Sequence, residues 1–111
     1  MAIEAIPALL EQIDELLAEP DPEGEPASLD VLERTLTDGY AYALVLESER
    51  WRLEQRLSEL AGELQEGDQD EKSQELAQIS RRLSSNGTAL QRLRSTLARL
   101  RTRATAVRGA A

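Results

Sequence analysis

Two ladders of mostly apolar residues run through the chain as mirror images of each other. The first is Leu29, Leu32, Leu36, Gly39, Ala43, Leu46, Arg50, Leu53, Leu57 and Leu60. The second is Leu76, Ile79, Leu83, Asn86, Leu90, Leu93, Leu97, Leu100, Ala104 and Val107. Each advances by alternating steps of three and four, the heptad spacing of a coiled-coil seam. Read in reverse, the second ladder pairs with the first so that every two residue numbers add to 136, from Leu60 with Leu76 to Leu29 with Val107. The mirror centre is position 68, within Glu66-Gly67-Asp68-Gln69-Asp70. This pattern predicts a long antiparallel helical hairpin, with helices over about 29–65 and 70–107 joined by a turn at 66–69.

Local signals agree with the hairpin. Ser28 is a good N-cap for the first long helix, and Asp30 lies where it meets the positive helix end. Gly67 stands where a left-handed C-cap is favoured. Asp68, with Glu71 three residues on, makes a capping-box-like start for the next helix. Asn86-Gly87 is a turn-like dipeptide. The heptad phase runs through it unbroken, so the second long helix is read as continuous there. A break at Ser84-Ser85-Asn86-Gly87 is the competing reading.

Ahead of the hairpin, Ile3, Ile6, Leu10, Ile13 and Leu17 form another apolar stripe, widened by Leu9 and Leu16. A short helix over about 3–19 follows, its regular part starting near Ile6 or Pro7 because proline fits only the first turn. The stretch 20–27 holds Pro20, Pro22, Gly24 and Pro26 among acids and reads as a linker. In the first half of the longer helix, Tyr40, Leu44 and Trp51 add a second stripe beside the ladder. An arc this wide calls for more than one neighbour, and the short helix has the length to cover residues 29–46. The fold class is therefore all-α. A long antiparallel coiled-coil hairpin carries an N-terminal helix packed on it as a three-helix bundle, in one domain of 111 residues. The two-helix half would leave part of its seam open, so a homo-oligomer, in first place a dimer, is expected. Exchange of the short helix between chains is the competing model.

Charge sharpens this picture. The net charge is −8. Residues 1–71 carry 20 acids and 4 bases, whereas residues 72–111 carry 1 acid and 9 bases. The acidic short helix should thus lie near Arg92, Arg94, Arg99, Arg101, Arg103 and Arg108. Ion pairs of this kind fix orientation more than they stabilise.

Several chemistries are excluded or weakly supported. The chain has no Cys and no His, which removes thiolate nucleophiles, imidazole bases and ordinary zinc sites. No enzyme activity, cofactor or metal is expected. No apolar run is long enough to cross a bilayer. The N-terminus lacks the basic region of a secretory signal, so the chain is placed in the cytoplasm.

Arg50 falls opposite Asn86, a polar layer in the seam. It could bind an anion, but a register key that costs stability and fixes alignment is the simpler role. Gly39 and Ala43 leave room for Leu93 or Leu97. Tyr40 and Trp51 belong to a core or an interface; if exposed, they are the best anchors for a partner. Gly39, Tyr40, Ala43, Leu44 and Trp51 are therefore the candidate interface. The function read from the sequence is a non-enzymatic helical interaction or assembly protein, self-associating through its leucine seam. The alternative is a nucleic-acid-associated module in which the Arg-rich helix contacts phosphates and the short acidic helix acts as a lid. Without interleaved aromatics to stack bases, that basic stretch reads first as pairing within the fold.

Overall fold

The computed structural model describes residues 6–18, 29–64 and 69–110. They form three helices: α1 (Ile6–Ala18), α2 (Leu29–Glu63) and α3 (Gln69–Ala110). The linker and the expected caps Ser28, Gly67 and Asp68 lie outside the described residues. α1 begins at Ile6 with Pro7 in its first turn, where the missing N–H costs nothing. α3 runs through Asn86-Gly87 without a break. Among the described residues there is no strand, and no helix is long and apolar enough to cross a membrane.

All twenty ladder positions are buried or half-buried. The seam is thus consumed between α2 and α3, and the antiparallel hairpin with α1 packed on it is the architecture found. Labelling the ladder a and d, from Leu29 and Leu76 as a, places the flanking residues at e and g. In an antiparallel pair, e faces e and g faces g. Both contacts are present: Arg56 reaches Glu75 between g positions, and Arg108 pairs with Glu33 between e positions.

The chain divides into two compact units. In the first, α1 joins α2 up to Val45 and α3 from Gln91. Its core combines Ile6, Leu9, Leu10 and Ile13 of α1 with Leu32 and Ala43 of α2 and Leu93, Leu97, Leu100 and Ala104 of α3. A helix of 13 residues is marginal alone. Four buried aliphatic side chains, each contributing about 1.5–3 kcal/mol, hold it on the hairpin. Gly39 of α2 lies directly against the Leu97 side chain of α3. A Cβ there would overlap Leu97 Cδ2 and press on Cγ at 3.2 Å.

The side on which α1 packs differs from the sequence reading. Thr35 and Thr96, both at g, are buried, whereas Tyr40 at e and Leu44 at b are exposed. The core of this unit therefore widens on the g side, away from Tyr40 and Leu44. The threonines fit a buried g edge because each hydroxyl donates within its own helix, Thr35 to the Val31 carbonyl at 2.8 Å and Thr96 to the Arg92 carbonyl at 3.1 Å. Neither hydroxyl is stranded, and the branched side chains pack much as valine would.

The second unit, Leu46–Leu90, contains only α2 and α3. Leu53, Leu60 and Ile79 are its buried cluster, with Leu57 and Leu83 packed against them. The sequence reading left part of this seam open; Leu57, Leu76 and Leu83 are half-buried, whereas Leu53, Leu60 and Ile79 are covered by the two helices alone. Along its g edge Arg56 bridges Glu75 (Nε–Oε2 2.6 Å), Glu63 (3.0 Å) and Glu59 (3.1 Å). At the turn, Lys72 Nζ donates to the Glu63 carbonyl at 2.9 Å and Gln69 Nε2 to the Leu64 carbonyl at 3.3 Å. These are carbonyls that a helix C-terminus cannot satisfy from within.

Candidate interaction surface

The arginines of α3 sort by heptad position onto two sides of the first unit. On the g side, Arg92 Nη2 meets Asp14 Oδ2 at 3.1 Å. Arg103 donates to the last carbonyls of α1, through Nη2 to Leu17 at 3.1 Å and Nη1 to Leu16 at 3.5 Å. A cation at this end of a helix meets unpaired carbonyls and the negative pole of the dipole. Among the described residues, the base-free helix α1 is thus seated on its basic partner as the charge asymmetry suggested, with contacts from Arg92 and Arg103. Arg99, at c, is exposed.

On the e side stand Arg94, Arg101 and Arg108, spaced seven apart and all exposed. Arg108 pairs with Glu33. By the same e-to-e rule, the residue opposite Arg101 is Tyr40. A phenol therefore occupies the place where the neighbouring pair has a carboxylate. Tyr40 is 44% exposed and Leu44 64% exposed, so α2 adds an apolar ring and an aliphatic side chain to the same open face. Between Glu33 and Glu47, the b, e and f positions of α2 are Arg34, Thr37, Tyr40, Ala41 and Leu44. None is acidic.

In the second unit Trp51 is 64% exposed. The core role open to Trp51 and Tyr40 in the sequence is not the one they take.

The polar layer also resolves differently for its two members. Asn86 is 3% exposed, inside the seam. Its Nδ2 donates to the Leu46 carbonyl at 2.9 Å and to Glu49 Oε1 at 3.4 Å. Both neighbours are acceptors, which fixes the amide orientation. Oδ1 is then buried without a hydrogen-bond partner, a state costing about 1–3 kcal/mol. Arg50 does not meet it. The Arg50 side chain is half-exposed, its Nε lies 3.4 Å from Glu54, and its guanidinium passes over Gly87, where a Cβ would come within 3.2 Å of Nη1. The layer is a buried amide beside a surface guanidinium, because the long arginine stem lets the charge leave the seam.

Electrostatics elsewhere are those of a solvated surface. The hydrogen bonds from Arg56 hold the Glu75 carboxyl below the usual carboxylate range, and the same contact raises the Arg56 guanidinium. Both groups are open to water, and the pair sits on the flank of the two-helix seam. Searches against protein-family models, curated proteins and solved structures find no match to this chain.

Proposed function

We propose that this chain is a non-enzymatic helical interaction protein that docks a further helix, from a second copy or from another protein, on the open face of α2. The observation that carries this reading is the exposure of Tyr40 and Leu44 beside the α2–α3 seam. Large side chains at helical spacing are ordinarily covered, and here α1 packs on the opposite edge. Aromatic and arginine side chains dominate interface energetics, and this face offers both. With the seam itself consumed inside the chain, self-association would use this outer face.

The test is light scattering across a concentration series, together with titration of amphipathic helical peptides, for the native chain and for Tyr40→Ser/Leu44→Ser. Self-association or peptide binding that the double substitution abolishes supports the reading. A strict monomer that binds none of the peptides contradicts it.

The nucleic-acid reading has one observation in its favour, the seating of acidic α1 against Arg92 and Arg103. As a lid, however, α1 sits on the g side, away from the e-side Arg101 and Arg108. It requires that removal of residues 1–27 strengthen binding to a duplex oligonucleotide, with an affinity that falls steeply as salt rises.

A further inference from the structure

We infer that the open e side of the first unit takes an acidic amphipathic helix of another protein, which places a carboxylate on Arg101 and its apolar edge on Tyr40 and Leu44. This inference rests on the docking function proposed above and names the chemistry of the partner. Two sides of one helix pair carry the argument. On the g side, the hairpin already binds such a helix: α1 has acids and no base, buries four aliphatic side chains, and meets the guanidinium groups of Arg92 and Arg103. The e side repeats those ingredients without α1, in a row of arginines beside exposed apolar side chains.

Charge along the e side points to where the partner's acid belongs. Arg108 has its carboxylate in Glu33. Arg101, one heptad away, is opposite Tyr40, so the acid that completes the row must come from outside. A second copy of the chain is a poor source if it presents the same stretch of α2, because residues 34–46 offer no acid at the b, e or f positions. Its own α1 is engaged on the g side. A foreign helix with leucines at heptad spacing and glutamates beside them fits both features.

Three synthetic helical peptides test this by calorimetric titration of the full chain. They share one leucine stripe and carry Glu, Gln or Lys at the flanking positions. The Glu peptide is expected to bind about tenfold more tightly than the Gln peptide, the size of one hydrogen bond to a charged group, and the Lys peptide most weakly. Arg101→Gln should erase the Glu-over-Gln advantage, while Tyr40→Ser should weaken both. Arg101 is exposed, so neither substitution should alter the melting curve much. Equal binding of the Glu and Gln peptides overturns the acidic partner and leaves the docking function standing. So does a self-association that Tyr40→Ser abolishes while no peptide binds. Absence of both self-association and peptide binding overturns the docking function as well. A duplex oligonucleotide that displaces the Glu peptide, and whose own binding depends on Arg101, would reassign the face to nucleic acid.

Discussion

The two units use the same heptad ladders and are held together differently. In the three-helix unit, ladder side chains such as Leu32, Leu93 and Leu100 are sealed from solvent and Gly39 leaves room for the Leu97 side chain. In the two-helix unit, Leu57 and Leu83 stay half-buried, the seam contains a buried amide, and Arg56 fastens the flank with three carboxylates. The ladder supplies the pairing in both. A third helix turns it into a deep core in one, while in the other salt bridges line the flank and a buried amide interrupts the seam. The difference teaches that heptad periodicity specifies which residues face each other, and that the flanking positions decide how much they stabilise.

Substitutions in the ladders separate the two cases. Leu97→Ala should cost about 2–5 kcal/mol, the range for emptying a closed site. Leu83→Ala should cost clearly less, since its side chain already touches water. Urea unfolding of the two variants measures the contrast, and equal losses would remove it. Next in size, Asn86→Leu deletes a buried acceptor with no partner and should stabilise the chain by about 1 kcal/mol. If the amide is a register key, that gain comes with a broader distribution of oligomers in sedimentation. Greater stability with a single unchanged species would leave the amide without a register role.

Gly39→Ala sets two opposing effects against each other. Helix propensity favours Ala by about 1 kcal/mol, and overpacking against Leu97 costs about 1–3 kcal/mol. A net loss of about 1 kcal/mol is expected, measured by thermal melting, and a gain would show that the helices can part there at no cost. Smallest is the effect of acid on the two-helix unit. Glu75 is held below its unfolded value, so its contribution is present above the ordinary carboxylate range and is lost as pH falls through the lowered folded value. A carbon-detected NMR titration should place Glu75 below the ordinary glutamate range, and Arg56→Gln should return it to that range.

Much of this fold was legible from spacing alone, because burial of a seam imposes a period that few other constraints can mask. Every ladder position is at least half-buried, and α3 continues through Asn86-Gly87 because neighbouring turns hold the phase. The side on which α1 packs was not legible. Tyr40 and Leu44 look like core by hydrophobicity, whereas Thr35 and Thr96 look like surface. Their hydroxyls are satisfied within their own helices, which a residue type does not reveal. Arg50 misled for a related reason: its Cα sits on the seam, but its charge reaches the surface. Of the five candidate interface residues, Tyr40, Leu44 and Trp51 are exposed, whereas Gly39 and Ala43 are buried in the seam.

The central claim is that the two edges of the first unit have different tasks, the g edge holding α1 and the e edge receiving a partner. Amide chemical-shift mapping with the Glu-flanked peptide tests it most directly. The account predicts shifts confined to residues 37–44 of α2 and to the e-edge residues Arg94, Arg101 and Arg108 of α3, with α1, Thr35 and Thr96 unmoved. Shifts centred on α1 and Thr96, reporting a peptide that takes the place of α1, would contradict it.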